Sequence, residues 1–176
     1  DIDVAPFDNS AMDGYALRYA DIAGASADTP VKLDVIEHIP AGVAPERIVG
    51  PGQAARIMTG APVPAGADAV VKVELTRAGE NAGGTGGTVE ILASAKVGEN
   101  IRGRAEEVRA GDAVLLNGEL IGPAAIGLAA SVGHDQLMVR RRPRVAIVST
   151  GDELVEVTEK PGPGKIRNSN SYSLAA

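Results

Sequence analysis

The chain has 176 residues, of which 44% are hydrophobic and 2% aromatic, and its 23 acidic and 17 basic residues give a formal net charge of −6. It contains no cysteine, which excludes disulfide frameworks, thiolate metal sites and thiol nucleophiles. The acidic balance argues against nucleic acid as a partner, and the lack of an apolar run of about 18 residues argues against insertion in a membrane. We therefore expect a cytoplasmic protein.

The first two thirds of the chain predict a mostly β domain of short strands, spanning about residues 14–121. Alternating or continuous apolar residues between turn formers predict strands at 31–35, 54–58, 70–73 and 89–92. A glycine-rich stretch over 82–88 is typical of a hairpin loop. Asn117-Gly118 between two apolar runs predicts a second hairpin with a type I′ turn.

The pattern changes in the last third of the chain. Residues 122–133 begin with Gly-Pro and end with Gly, which predicts a short helix within a helical connection over 122–142. The continuous apolar run 145–148 is typical of a strand covered on both faces of a parallel sheet, and 168–171 predicts a helix N-cap. Since such a strand needs neighbours, we expect 143–176 to be the truncated start of an α/β domain.

A polar loop near the N-terminus carries two carboxylates, Asp8 and Asp13, with Ser10 between them. Carboxylates placed like this are suited to holding Mg²⁺ or to acting as a general base. The same residue types are also common in turns and helix caps, so a purely structural role is the alternative.

Thr59 follows a predicted strand, in a turn that Pro62 and Pro64 stiffen. A hydroxyl on a rigid turn is suited to positioning a substrate. The alternative is a loop that only reverses the chain.

Residues 98–107 mix arginines with glutamates. Arg102 can bind an oxyanion through two N–H groups, and Glu107 can bind a metal ion. The alternative is a solvated charged surface.

Residues 149–153, Ser-Thr-Gly-Asp-Glu, follow the apolar run directly. In open α/β sheets, ligands bind at the carboxyl ends of the strands. Gly151 allows close approach of a backbone, so we expect either a phosphate or pterin-like ligand here or a simple turn.

Together these segments resemble the signature of the molybdopterin molybdenumtransferase (MoeA) family, which is related to the C-terminal domain of gephyrin. The matching blocks are in the same order and span nearly the whole chain. They cover residues 4–16, 56–64 with its continuation 66–71, 98–102, 144–154 and, more weakly, 168–170.

The resemblance implies an enzyme of molybdenum cofactor synthesis that inserts molybdate into adenylylated molybdopterin, releases AMP and is assisted by Mg²⁺. The functional residues that it implies are Asp13, Thr59, Glu107 and Glu153 in catalysis. Together with the chemistry of the residues, it leads us to expect Asp13 and Glu153 as metal ligands, and Arg102, Ser149, Thr150, Gly151 and Asp152 in substrate binding. Glu107 aligns with an acid that is usually Asp in the pattern Gly-Glu-Asp, which reads Ala105-Glu106-Glu107 in this chain.

The resemblance also implies a homodimer whose active site is shared between subunits, supplied by a molybdopterin-adenylating enzyme. Residues 1–142 would be the MoeA N-terminal region and 143–176 the beginning of the molybdopterin-binding α/β domain. We expect the 176 residues alone to be inactive, because much of that domain and the family's C-terminal β domain are not in this sequence. The alternatives are a gephyrin-like dimeric scaffold and a non-catalytic molybdate-binding module.

Overall fold

Short strands dominate the first of two units, which span residues 1–135 and 136–176. The computed structural model describes residues 2–79 and 85–176. In chain order, the elements of the first unit are β1 (Asn9–Ser10), β2 (Gly14–Leu17), α1 (Tyr19–Ile22), β3 (Val31–Ile39), β4 (Gln53–Ile57), β5 (Ala69–Lys72), a 3-10 helix (Val73–Leu75), β6 (Thr76–Ala78), β7 (Gly87–Ile91), β8 (Ile101–Arg102) and α2 (Pro123–Ser131). The predicted mostly β architecture is confirmed.

Six of these strands form one sheet in the order β5-β2-β4-β3-β7-β6. Neighbouring strands are antiparallel except β3 and β4, which are parallel. The four predicted strands correspond to β3, β4, β5 and β7. Of the predicted glycine-rich hairpin loop, residues 82–84 lie outside the described residues, and the strands that flank the loop, β6 and β7, pair antiparallel.

Apolar side chains cover both faces of the strands that lead to the candidate site. Successive residues of a strand point to opposite faces of its sheet. In β2, Leu17 belongs to one buried apolar cluster and Ala16 to the other, and Val71 and Val70 of β5 divide in the same way. β2 and its neighbours are therefore packed on both sides, which fixes the positions of the residues at their ends.

The predicted hairpin at Asn117-Gly118 is wrong, because a turn is present there but no strands flank it. The N–H of Glu119 donates to the carbonyl oxygen of Leu116 at 3.3 Å, so the chain does reverse. Gly118 has φ +96°, whereas Asn117 is not among the residues with positive φ. A type I′ turn needs positive φ at both central residues, and other turns splay the flanking segments instead of pairing them.

The helix predicted after the β region is present as α2, with Pro123 in its first turn and Gly133, at φ +85°, just beyond its end. Among residues 2–79 and 85–176, no helix is both long enough and apolar enough to cross a membrane.

The second unit contains β9 (Leu154–Val155), β10 (Ile166–Arg167) and α3 (Asn170–Ala175), and its two strands are parallel. The predicted N-cap segment does precede α3, but its N-cap residue Ser169 makes no side-chain capping hydrogen bond. The Oδ1 atom of Asn168, one residue earlier, accepts the N–H of Ser171 at 3.2 Å.

The prediction of a buried strand over 145–148 is wrong for this chain. Val145 is 81% exposed and Val148 80% exposed, and the segment forms no strand. An apolar run becomes a strand only where a neighbouring strand takes up its backbone hydrogen bonds, and the described residues provide no such neighbour here. The predicted boundary near residue 142 stays a prediction.

Candidate functional site

Strand pairing places the side chains of Asp13 and Thr59 next to each other. Gly14, the first residue of β2, is the register partner of Ile57, the last residue of β4. Because the two strands are antiparallel, the residue before β2 and the residues after β4 meet at one edge of the sheet. There the Oδ1 atom of Asp13 accepts two hydrogen bonds of 2.7 Å, from the backbone N–H and from the hydroxyl of Thr59.

These contacts lower the pKa of the Asp13 carboxyl. The backbone N–H and then the hydroxyl of Thr59 hold the pKa of the Asp13 carboxyl below its ordinary value, and the positive charge of Arg56 lowers it further, against the opposing effect of desolvation. Asp13 is therefore an anion at neutral pH. A general base works best with a pKa near the working pH, so this carboxylate is better suited to binding a cation or orienting a hydroxyl.

Backbone hydrogen bonds connect the first three motif blocks. The N–H of Ser10 donates to the carbonyl oxygen of Ala61 at 3.0 Å, and the N–H of Gly60 donates back to the carbonyl oxygen of Ser10 at 2.8 Å. The N–H of Ala11 donates to the carbonyl oxygen of Asn100 at 2.9 Å. The loop that carries Asp13 is thus held by two segments that lie far from it in the sequence.

Ser10, which lies between the two predicted carboxylates, has a structural role. It is fully buried, and its hydroxyl donates to the carbonyl oxygen of Met12 at 2.6 Å. Arg102 lies on β8, which pairs with β1 and places Arg102 opposite Asn9. The Arg102 side chain is exposed, close in the fold to the loop of Asp13.

The segment that carries Glu107 is fastened to the N-terminal residues. The Asp3 carboxylate accepts the N–H of Ala110 at 2.9 Å and pairs with the Arg104 guanidinium, and the two contacts lower the pKa of Asp3 in that order. The Asp8 carboxylate accepts the N–H of Arg104 at 2.7 Å. Asp8 therefore has a structural role, while the carboxylate of Glu107 is exposed.

Ala105 has a backbone conformation that usually requires glycine. Its φ is +58°, in the left-handed region that favours glycine. A glycine would adopt this conformation without strain, whereas this chain has Ala. The role of Glu107 stays a prediction.

We expect Ala105→Gly to stabilise the chain. The left-handed conformation costs an L-residue roughly 1–2 kcal/mol, and the greater freedom of glycine in the unfolded chain offsets part of the gain, which leaves a net of about 0.5–1 kcal/mol. Urea unfolding measures this difference. As a control, Ala130→Gly in α2 should destabilise by up to about 1 kcal/mol. A loss of stability in Ala105→Gly would contradict a left-handed backbone at this residue.

In the second unit, the predicted ligand segment lines a cleft. Ser149, Thr150 and Glu153 face a cavity of about 430 Å³ together with Asn168 and Ser169. The hydroxyl groups of Ser149 and Ser171 are hydrogen-bonded to each other. The block 149–153 and the weaker block 168–170 thus meet in one polar cleft.

The contacts of Gly151 and Asp152 in this segment are made by their backbone atoms. Gly151 has φ +150°, and a Cβ atom added there would lie 2.7 Å from Oε2 of Glu153. The Glu153 carboxylate therefore lies directly against the backbone of Gly151. The Asp152 carbonyl oxygen accepts a hydrogen bond from the ammonium group of Lys165.

Asp13 and Glu153, the predicted metal ligands, belong to different units, so a metal site shared by them stays a prediction. In the part of the chain that the structure describes, no three Asp, Glu or His side chains are grouped so that they could hold a metal ion. Asp13 and Thr59 nevertheless provide hard oxygen donors. Mg²⁺ commonly uses one or two carboxylates and completes its shell with water and substrate phosphates, so this pair fits as part of such a shell.

Sequence reasoning assigned no role to two residues that shape the site. The Arg56 guanidinium lies 5.1 Å from the centre of the Tyr15 ring and donates to the carbonyl oxygen of Gly14 at 3.0 Å. Asn100 has φ +58° and donates through Nδ2 to the carbonyl oxygen of Val70 at 2.8 Å. Both residues lie in the motif blocks, but only the folded structure reveals their partners.

Comparison with known proteins gives a match over most of the chain. Residues 1–133 match the family model described as the MoeA N-terminal region, domains I and II. Among curated proteins, the chain is 49% identical over 170 residues to molybdopterin molybdenumtransferase 2 of Mycobacterium tuberculosis (strain ATCC 25618 / H37Rv). It is 46% identical over 175 residues to the molybdopterin molybdenumtransferase of Nostoc sp. (strain PCC 7120 / SAG 25.82 / UTEX 2576).

These alignments cover 97% and 99% of the chain but 40% and 39% of the relatives, so the chain spans about two fifths of their length. The fold is also similar to a crystal structure of a molybdopterin biosynthesis MoeA protein from Pyrococcus horikoshii OT3. That similarity has a TM-score of 0.83 at 34% sequence identity, and it covers 98% of this chain and 45% of that one.

Proposed function

Since the chain belongs to the MoeA family through its N-terminal region, we propose that it takes part in molybdenum cofactor biosynthesis, in the insertion of molybdate into adenylylated molybdopterin with release of AMP. The observation that carries this proposal is the contact between Asp13 and Thr59. It joins two motif blocks that are 46 residues apart and gives an ionised carboxylate beside an oriented hydroxyl.

The reaction breaks a phosphoric anhydride whose oxygens are negatively charged, so the site needs groups that offset this charge. Asp13 and Thr59 would hold Mg²⁺ through their oxygens, and Mg²⁺ supplies the positive charge when it is bound. Thr59 donates its hydroxyl hydrogen to Asp13, which leaves its oxygen lone pairs for another ligand. Arg102, exposed on β8, adds N–H donors for an oxyanion.

The cleft of the second unit is suited to the pterin part of the substrate. Hydroxyl, amide and carboxylate groups of Ser149, Thr150, Asn168 and Glu153 line it. A polar heterocycle needs several hydrogen-bonding groups that fix its orientation. We assign substrate binding to residues 149–152, and we assign to Glu153 the role of a further acid in the site. In a homodimer, the first unit of one subunit and the second unit of its partner would contribute to one site. Glu107 is assigned as an accessory acid.

The test is an assay of the full-length protein with adenylylated molybdopterin, molybdate and Mg²⁺, in which AMP is measured by chromatography. We expect AMP release to require molybdate and to fail when sulfate, an oxyanion of the same shape, replaces it. Binding of molybdate without AMP release would indicate a non-catalytic binding module, and neither binding nor release would favour a scaffold. The 176-residue chain alone should show no turnover.

A further inference from the structure

Arg56 contacts the peptide between Gly14 and Tyr15, one residue beyond Asp13. It lies on β4 directly opposite Tyr15 of β2, and it is half-buried. Its guanidinium lies over the Tyr15 ring at 5.1 Å, and its Nη1 donates to the carbonyl oxygen of Gly14 at 3.0 Å. One side chain thus bridges the first two residues of β2, immediately after the candidate carboxylate.

The backbone of Asp13 and Gly14 is held just as closely from the side of β5. The carbonyl oxygen of Asp13 accepts the N–H of Val73 at 3.0 Å. Gly14 is packed so closely against β5 that an added Cβ atom would lie 2.1 Å from the carbonyl oxygen of Val71. With β5 on one side and Arg56 on the other, the direction in which the Asp13 side chain leaves the backbone is fixed.

Only arginine combines the contacts seen here. A planar guanidinium can stack on an aromatic ring and at the same time direct an N–H at a carbonyl oxygen, whereas a lysine ammonium is a point charge on a flexible stem.

We propose that Arg56 is a positioning residue of the candidate site, which holds the backbone at Gly14 so that the Asp13 side chain is directed at Thr59. The importance of Arg56 for catalysis rests on the proposed function, whereas the effect of Arg56 on Asp13 can be measured without turnover. A purely structural Arg56 would stabilise the sheet and leave the Asp13–Thr59 contact unchanged. The two roles therefore differ in what happens at Asp13 and Thr59.

The test uses Arg56→Met and Arg56→Lys in the 176-residue chain, followed by NMR. The readouts are the chemical shift of the Asp13 carboxyl carbon at neutral pH, which reports the hydrogen bonds that the carboxylate accepts, and the hydrogen exchange of the Thr59 amide. In Arg56→Met we expect this chemical shift to change and the Thr59 amide to exchange about tenfold faster, which corresponds to about 1.4 kcal/mol. In Arg56→Lys we also expect faster exchange, because the charge is kept but the directed contact with the Gly14 carbonyl oxygen is lost.

Matched controls are Arg77→Met and Arg77→Lys, since Arg77 is an exposed arginine of the same sheet that pairs with Glu90 at 2.9 Å. These variants should leave both readouts unchanged. If Asp13 and Thr59 behave in the Arg56 variants as in wild type, or as in the Arg77 variants, the proposal is overturned. If Arg56→Met does not fold, Arg56→Lys decides, because its stem still covers Tyr15.

An activity measurement separates this proposal from the proposed function. In the full-length protein we expect Arg56→Lys to lower kcat for AMP release about tenfold with little change in KM, because the loss affects orientation more than binding. If the NMR readouts change and AMP release does not, Arg56 positions Asp13 as proposed but the pair is not used in the reaction. If the NMR readouts do not change, the positioning role fails whatever the activity.

Discussion

Asp13→Asn in the full-length protein should lower molybdate-dependent AMP release by about 100-fold or more while the protein remains folded. Asparagine keeps an Oδ1 atom that can accept both the N–H and the hydroxyl of Thr59, so the local geometry is retained. What is lost is the negative charge, and with it the attraction for a cation. The rate of AMP release at saturating substrate measures the effect, and circular dichroism checks the fold.

Two further variants make this result specific. Thr59→Val removes the hydroxyl at nearly the same volume, and we expect its effect and that of Asp13→Asn to be far from additive, since the residues act as one unit. Asp68→Asn is the matched control, because the Asp68 carboxylate also accepts a backbone N–H, that of Tyr19 at 2.6 Å, outside the candidate site. If Asp13→Asn releases AMP at the wild-type rate, Asp13 is not part of the active site.

The sequence predicted the strands better than it predicted their partners. Alternation and turn formers located the strands around Val35 and Val89, since these signals are local. The run at 145–148 has an equally clear apolar pattern and forms no strand, because a strand also depends on a neighbour that local sequence does not specify. The same limit explains Asn117, whose φ depends on the segments around the turn and not on the dipeptide alone.

The candidate site was predicted by resemblance and not by spacing. Asp13 and Thr59 are 46 residues apart, and only the pairing of Gly14 with Ile57 brings them together. No periodicity in the sequence predicts that register. For the same reason Arg56, which faces Tyr15 across the sheet, could not be assigned a partner before the fold was known.

We expect Gly14→Ala to destabilise the fold more than the addition of a methyl group at any other position in this part of the chain. Its Cβ atom would lie 2.1 Å from the carbonyl oxygen of Val71, 2.8 Å from the Val71 carbonyl carbon and 3.0 Å from Cα of Lys72. All three are backbone atoms of β5, so no side-chain rotation can relieve the overlap. β2 is paired on both sides, with β4 and with β5, and the strands would have to separate.

We expect Gly14→Ala to lower the free energy of unfolding by about 3 kcal/mol or more, as measured by urea unfolding of the 176-residue chain. Gly127→Ala in α2 is the control, since its Cβ atom would have no neighbour within 4 Å and alanine favours the helix by up to about 1 kcal/mol. Wild-type stability in Gly14→Ala would mean that β2 and β5 are not as close as described. Because Gly14 follows Asp13 directly, a shift large enough to admit the methyl group would also move the carboxylate away from Thr59, so the glycine is required both for the sheet and for the site at its edge.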